Sequence, residues 1–235
     1  MVEISFLGHS GVRIQGKKVS LVIDPPTGQI LGIETPKKVQ ADIVLLTQEE
    51  VPAHSNLEIV QPSNSETLPA DRQVFQISTP GEYEISQTEI TGLSASSKGA
   101  CLPAGRLGFS ESNKLTIYHI KLSGINLVFL GTISRLTQNL VEELSQVDIL
   151  FLPVGGRVSI GPKEATDVMT TLEPAIVVPV HFGTGEKDGL SSIDQFLAQV
   201  GKIPTEMADK LQITKDKLPE EVKIVTLRSP TAVSG

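Results

Sequence analysis

The sequence lacks several features that would assign it to a particular class of protein. It contains a single cysteine, Cys101, among 235 residues, which excludes an internal disulfide and is typical of a protein in a reducing cytosol. No apolar run is long enough to cross a bilayer. The first residues have neither the basic segment nor the long apolar segment of a signal peptide. We therefore expect a cytoplasmic protein that does not span a membrane.

Positive charge is also scarce. The chain has 20 Lys and Arg residues against 27 Asp and Glu residues, which gives a formal net charge of −7. Nucleic-acid binding needs a basic surface to neutralise phosphates, so we expect no nucleic-acid partner. With 39% hydrophobic and only 20% charged residues, the composition is that of a globular protein that buries a core.

The order of apolar runs and turn residues predicts an α/β protein. Short runs predict strands in the first half, and strands alternate with helices in the second half. Capping signals predict helices that begin after Thr137, at Pro162 and after Ser192. No linker divides the chain, so we expect one domain over residues 1–235, with 228–235 as a loose tail. The predicted strands cover 2–7, 12–15, 19–23, 43–46, 57–60, 74–77, 115–120, 125–130, 147–154, 175–180, 211–214 and 222–227. Tyr83, Ile85 and Ile90 also lie on alternating strand positions.

A polar loop follows the buried strand predicted at 43–46. It runs from Thr47 to Asn56 and contains the adjacent acids Glu49 and Glu50. Loops after buried strands commonly contain binding and catalytic residues. A solvated turn is the simpler interpretation of the two acids, and the sequence does not distinguish between the two interpretations.

A second long loop is predicted at 94–112, where the periodicity of apolar residues disappears. A loop of this length inside a compact domain is typical of a functional or mobile segment. It contains Cys101, but no basic residue or helix start beside the thiol predicts a lowered pKa. An incidental thiol is therefore favoured over a nucleophile, and the role of the loop is left open.

Several segments resemble the metallo-β-lactamase superfamily, and in particular a small branch of zinc-dependent hydrolases. The resemblance extends from about Val2 to Val200 and follows the order of the family's motifs. It implies a four-layer αββα sandwich with a cleft along one edge of the paired sheets. The segments that carry it are Leu7-Gly8-His9-Ser10, Ile23-Asp24-Pro25, Pro80-Gly81-Glu82-Tyr83-Glu84 and the phrases VDILFLPVGG, GPKEATDVMTTLEP and IVVPVHFGT between Val147 and Thr184.

The resemblance also implies a metal site, at which this sequence differs from the family. The family's loop after the strand at 43–46 reads Thr-His-x-His-x-Asp-His. Here the ligand positions are occupied by Gln48, Glu50, Pro52 and Ala53. The family's next histidine is missing from its expected place near 95–97, where the sequence has Ala-Ser-Ser.

Three further positions complete the implied cleft. Thr132 stands where the family has an aspartate that bridges two metal ions, and a neutral hydroxyl cannot balance two divalent cations. His181 matches the family's final ligand, and His9 is implied to face the same cleft. His54 lies one position beyond the last expected ligand, and a one-residue shift can redirect its side chain.

Three hypotheses about function follow. We favour a metal-free, non-hydrolytic binding or assembly protein with no cofactor, because a degenerate ligand set removes the family's mechanism. Its partner would be an unknown small molecule or protein, and a homo-oligomer is one option. Its cleft would be lined by His9, Gln48, Glu50, His54, Thr132 and His181.

The other two hypotheses keep catalysis. One is a hydrolase with a rebuilt mononuclear site, in which His9, Glu50, His54 and His181 bind zinc. The other is metal-free acid–base catalysis, with Glu50 or Glu49 as the base and His181 or His9 as its partner.

Overall fold

The computed structural model describes residues 1–63, 73–101, 107–108, 113–183 and 189–229. Short strands dominate, as the apolar runs predict. The strands are β1 (Val2–Gly8), β2 (Gly11–Gln15), β3 (Ser20–Ile23), β4 (Val39–Ala41), β5 (Ile43–Leu45), β6 (Val60–Pro62), β7 (Phe75–Ile77), β8 (Gly81–Ile85), β9 (Thr88–Ser96), β10 (Ala100–Cys101), β11 (Leu107–Gly108), β12 (Lys114–Leu122), β13 (Ile125–Phe129), β14 (Ile149–Pro153), β15 (Ile176–Val180), β16 (Thr205–Ala208), β17 (Lys210–Ile213) and β18 (Lys223–Leu227). The helices are α1 (Gly28–Leu31), α2 (Gln138–Glu143), α3 (Pro162–Leu172) and α4 (Ile193–Val200).

Two large sheets organise these strands. The first has six strands in the order β17-β1-β2-β3-β5-β7, and the second has eight in the order β16-β18-β15-β14-β13-β12-β9-β8. In the second sheet β13, β14, β15 and β18 are parallel neighbours. Loops that follow parallel strands meet at one edge of a sheet, which is where α/β proteins commonly bind ligands.

The main core lies between the two sheets. Alternate side chains of the first sheet, including Ile14, Leu21 and Leu45, are buried there together with Phe129 and Phe151 of the second. The rings of these two phenylalanines lie 5.7 Å apart. Full burial of each such side chain stabilises the fold by about 1.5–3 kcal/mol, so this interface supplies a large part of the driving force for folding.

The outer face of each sheet is also covered. Helices α2, α3 and α4 pack on the second sheet through buried residues such as Leu140, Val168 and Phe196. On the first sheet, Val22 and Val44 pack against Ile59 of a 3-10 helix, and against the ribbon of β4 and β6. Two facing sheets with covered outer faces confirm the predicted sandwich class, although a 3-10 helix and a strand ribbon, rather than long α-helices, cover the first sheet.

Local signals predicted the starts of α2, α3 and α4 correctly. Thr137 caps α2 by accepting a hydrogen bond from the Leu140 N–H, and Ser192 forms the predicted capping box with Gln195 at the start of α4. The prediction of a strand at 57–60 is partly wrong, because Leu57–Ile59 forms a 3-10 helix before β6 begins. Helix α1 and strands β4 and β16 were not predicted.

The predicted loop at 94–112 begins later than expected. Strand β9 continues to Ser96, because its backbone pairs with β12 as far as Lys114 without any apolar pattern. Beyond it, β10 and β11 form a short antiparallel pair. Most of the remaining loop lies outside the described residues.

The C-terminal part of the chain was predicted to be loose from residue 228. The N–H of Arg228 donates a hydrogen bond to Ala208, and its guanidinium lies 2.9 Å from the Asp209 carboxylate. Residues 230–235 lie outside the described part of the chain. No helix in the described part combines the length and the apolar character needed to cross a membrane.

Candidate metal centre

Three histidines from distant parts of the sequence meet in one buried cluster, which we call the histidine cluster (His9, His54 and His181). One ligand nitrogen from each lies within 4.8 Å of the other two. The ring centroids are 4.4 Å apart for His9 and His181, 5.2 Å for His9 and His54, and 6.1 Å for His54 and His181. Within the described ranges, no other group of three His, Cys, Asp or Glu residues is arranged in this way.

Two of these residues have an unusual backbone conformation. His9 follows β1 with φ 56°, and His181 follows β15 with φ 52°. The left-handed region costs a non-glycine residue on the order of 1 kcal/mol or more and is often found at functional sites. The N–H of His181 donates a 2.7 Å hydrogen bond to the carbonyl of His9. This bond joins the end of β1 in the first sheet to the end of β15 in the second.

Close packing against Gly155 also fixes the position of His181. A Cβ atom on Gly155 would lie 2.1 Å from the His181 carbonyl oxygen, a distance that no side chain tolerates. Only glycine allows the loop after β14 to approach the histidine so closely.

His54 reaches the cluster through a tight turn. Residues Pro52–His54 form a 3-10 helix. Pro52 suits its first position because proline fixes φ, and because the N–H that proline lacks would have no partner within the first turn. The Ala53 carbonyl accepts a hydrogen bond from the Thr27 N–H at 3.2 Å. The turn buries the His54 ring to 1% exposure. The one-residue displacement of this histidine therefore directs it into the cleft.

The electrostatics of the cluster favour neutral imidazoles. Burial lowers the pKa of His9 well below its usual value, with the neighbouring histidines as a further cause. Burial also lowers the pKa of His54 to about 3 and that of His181 to about 4. Neutral imidazole is the form that binds metal ions.

Hydrogen bonding in the cluster is incomplete. Nε2 of His9 and both ring nitrogens of His54 are buried and have no hydrogen-bond partner within the described residues. A buried polar atom without a partner costs roughly 1–3 kcal/mol. Converging neutral nitrogens that lack partners fit a metal ion, and three imidazoles form a ligand set suited to zinc.

A second buried group lies beside the loop that contains His54, and we call it the polar cluster (Gln48, Ser97 and Thr132). Thr132 Oγ1 donates a 2.7 Å hydrogen bond to Gln48 Oε1 and lies 3.2 Å from Ser97 Oγ. Ser97 Oγ donates to the Gly99 carbonyl at 2.7 Å. These side chains satisfy one another and carry no charge, so the polar cluster does not resemble a cation site.

Asp24 connects the end of β3 to the loop that contains Gln48 and His54. Its carboxyl accepts hydrogen bonds from the Thr47 N–H at 2.8 Å and from the Thr47 hydroxyl at 2.7 Å. Burial raises the pKa of Asp24 to about 7, although both hydrogen bonds act to lower it. Asp24 therefore braces the start of the loop at Thr47 against the end of β3.

The two acids of the loop do not join the histidines. Glu50 is exposed and lies outside the histidine cluster. Glu49 is also exposed and accepts hydrogen bonds from Gln76 and Ser78, both at 2.8 Å. The structure therefore reduces the expected four-residue ligand set to three histidines and does not assemble the acid–base pair considered from the sequence.

Comparison with known proteins decides the family. A model of the beta-lactamase superfamily domain matches residues 3–181. The chain belongs to the metallo-β-lactamase superfamily. It is 30% identical over 198 residues to a UPF0173 metal-dependent hydrolase of Thermococcus onnurineus, with 78% of this chain and 86% of that protein covered. A second protein with that description, from Thermococcus kodakarensis, is 28% identical with the same coverage.

Solved structures support the same fold. A metallo-β-lactamase superfamily protein from Thermotoga maritima aligns with a TM-score of 0.71 and 24% identity, covering 97% of this chain and 100% of that chain. A metallo hydrolase from Ignicoccus hospitalis aligns with a TM-score of 0.65 and 17% identity, covering 97% and 95%. At these identities the likeness shows the fold alone.

These findings overturn the interpretation that we favoured from the sequence. The relatives are named metal-dependent hydrolases, and three histidines are arranged to hold a metal ion. The expectations of a metal-free, non-hydrolytic protein and of no cofactor were wrong. The sequence interpretation counted only the family ligand positions that had been replaced. His9 and His54 lie outside those positions, yet both reach His181 in the folded protein.

Proposed function

We propose that this protein is a metal-dependent hydrolase whose single metal ion is bound by the imidazoles of His9, His54 and His181. The observation that carries the proposal is the convergence of three buried imidazoles to within 4.8 Å. The names of the relatives support hydrolysis as the class of reaction.

The donor set is appropriate to catalysis. Three protein ligands are typical of catalytic zinc sites, whereas structural sites are closed by four. When bound, a divalent ion would lower the pKa of a water molecule and polarise the scissile bond. The protein's own contribution is to hold the three imidazoles neutral, buried and converging before the ion arrives.

The proposal of one ion rests on the polar cluster. The side chains of Gln48, Ser97 and Thr132 are neutral and bonded to one another. A second cation at this place would have to break these hydrogen bonds and would find no charged ligand among the described residues there. We therefore expect about one equivalent of metal per chain.

The substrate class and the cellular location are proposed from the amino-acid composition. A net charge of −7 opposes binding to nucleic acid, so we propose a small-molecule substrate. A chain with one cysteine is suited to the cytoplasm. Hydrolysis of a panel of chromogenic esters and phosphodiesters by the full chain would test the activity, which a chelator should abolish and added zinc restore.

A matched pair of variants tests the site. His54→Ala should lose bound metal and metal-dependent hydrolysis together. His119→Ala is the control, because His119 is half-buried in β12 and lies outside the histidine cluster; it should retain both. A wild-type protein that takes up no divalent metal, or a His54→Ala variant that binds zinc as tightly as wild type, would contradict the proposal.

A further inference from the structure

A buried serine contacts the ring of His181 at Nδ1, the ring nitrogen nearer the backbone. Ser159 lies in the loop between β14 and α3 and is 0% exposed. Its hydroxyl oxygen is 3.3 Å from Nδ1 of His181. The same oxygen is 3.2 Å from the carbonyl oxygens of Gly156 and Ile160. Nothing in the sequence pattern around this serine indicated a role.

The number of donor protons limits the hydrogen bonds that these groups can form together. A serine hydroxyl has one proton to donate and can also accept, whereas a carbonyl oxygen only accepts. If the Ser159 proton is donated to a carbonyl, the oxygen can accept from an N–H at Nδ1, and two hydrogen bonds form. If the hydroxyl proton is donated to Nδ1 instead, neither carbonyl receives it and only one hydrogen bond forms. The first arrangement is favoured because buried polar groups are seldom left without partners.

The serine is held in place by its own loop. The Ser159 N–H donates to the Gly156 carbonyl at 3.2 Å, and the Gly156 N–H donates to the Ile160 carbonyl at 3.0 Å. The Ile160 N–H in turn donates to Ile133 at 2.9 Å. A hydroxyl on a loop that is cross-linked in this way is a fixed acceptor, which can orient an imidazole ring.

We infer that Ser159 is a positioning residue that holds His181 in the tautomer with its proton on Nδ1, so that Nε2 is the nitrogen that can bind a metal ion. This inference rests on the proposed function. Partners of this kind fix the tautomer and the ring orientation of metal-binding histidines, and their loss typically weakens metal affinity by 10–100-fold.

The test combines metal affinity with nuclear magnetic resonance of the histidine rings in the full chain. Ser159→Ala should weaken zinc binding by about 10–100-fold in competition with a chromophoric chelator. In the metal-free wild type, long-range proton–nitrogen spectra should show His181 protonated on Nδ1. In Ser159→Ala the spectrum should shift toward the other tautomer, and Ser159→Thr, which retains the hydroxyl, should keep the wild-type tautomer.

The outcomes separate this inference from the proposed function. If wild type binds no zinc, both are overturned. If wild type binds zinc and Ser159→Ala binds it equally tightly, only the role of Ser159 is overturned. A wild-type His181 protonated on Nε2 would also overturn that role, and this measurement decides the matter even if Ser159→Ala does not fold.

Discussion

The histidine cluster and the polar cluster each take one residue from the loop between Thr47 and Asn56, but they differ in whether their buried polar atoms have hydrogen-bond partners. In the histidine cluster, ring nitrogens of His9 and His54 are buried without a partner in the described structure. In the polar cluster, Thr132, Gln48 and Ser97 bond to one another or to backbone. The first region needs a partner that the protein does not supply, whereas the second is already complete.

The difference has an energetic consequence. Unsatisfied buried atoms cost roughly 1–3 kcal/mol each, so the metal-free histidine cluster destabilises the fold. A ligand that binds only the native state stabilises it by about 2.7 kcal/mol at a hundred times its Kd. The polar cluster contributes to stability without any ligand. We therefore expect metal to change the stability of the protein through the first cluster alone.

The largest expected effect is the response of the melting temperature to zinc. Zinc at a hundred times its Kd should raise the melting temperature of wild type by roughly 5–10 °C, since each kcal/mol is worth about 2–4 °C in a domain of this size. His9→Ala removes one ligand and should abolish the shift. Calorimetry with and without zinc measures both, and His119→Ala should respond like wild type. An equal shift in His9→Ala would remove the distinction between the two clusters.

A packing variant should come next in magnitude. Gly155→Ala places a Cβ atom 2.1 Å from the His181 carbonyl oxygen, so the loop or the histidine has to move. We expect a loss of about 2 kcal/mol in the free energy of unfolding, within the range typical of overpacking, together with weaker zinc binding. Denaturant unfolding and metal titration are the measurements. Gly124→Ala is a useful control, because its Cβ atom would meet nothing within 4 Å, although its positive φ adds a smaller strain. If both variants lose the same stability, contact with His181 is not the cause.

The contribution of Asp24 to stability should depend on pH. The pKa of Asp24 is raised to about 7 in the folded protein, chiefly by burial, from an ordinary value near 3.9 in an unfolded chain. The folded state therefore favours the protonated acid. This contribution is fully present below about pH 4 and is lost as the pH rises through about 7.

Asp24→Asn imitates the protonated acid and tests that sign. The variant and wild type should have similar stability near pH 4, and the variant should become more stable than wild type by a few kcal/mol at most above pH 8. Denaturant unfolding across this range measures the difference. A variant that loses stability relative to wild type as the pH rises would show that the folded protein favours the Asp24 carboxylate.

The smallest expected effect is in the polar cluster. Thr132→Val keeps the shape of the side chain but removes the proton donated to Gln48 Oε1, at the 2.7 Å contact. The free energy of unfolding should fall by about 1–3 kcal/mol, while the number of bound metal ions stays the same. Thr132→Ser retains the hydroxyl and should lose less. A change in metal stoichiometry in Thr132→Val would mean that the polar cluster takes part in metal binding.

The fold could be predicted because its signals are local or belong to a shared pattern. Buried runs such as Ile43–Leu45 and caps such as Thr137 and Ser192 act within a few residues. Boundaries were missed where tertiary pairing replaced the local pattern, as in the last residues of β9.

The site could be predicted only in part. The resemblance indicated that His9 and His181 share a cleft, and His54 was identified as a displaced candidate. Its inward direction depends on the 3-10 turn that begins at Pro52, which the spacing alone does not reveal. Ser159 meets His181 across 22 positions of sequence, and no local signal records such a contact.

The most direct test of the account is the number of metal ions bound by the full chain. Protein loaded with zinc, dialysed and analysed by mass spectrometry of its metal content should hold about one equivalent in wild type, about one in Thr132→Val, and far less than one in His54→Ala. Two equivalents in wild type would show that the polar cluster also accepts a cation. No zinc in wild type would contradict the claim that the three histidines form a metal centre.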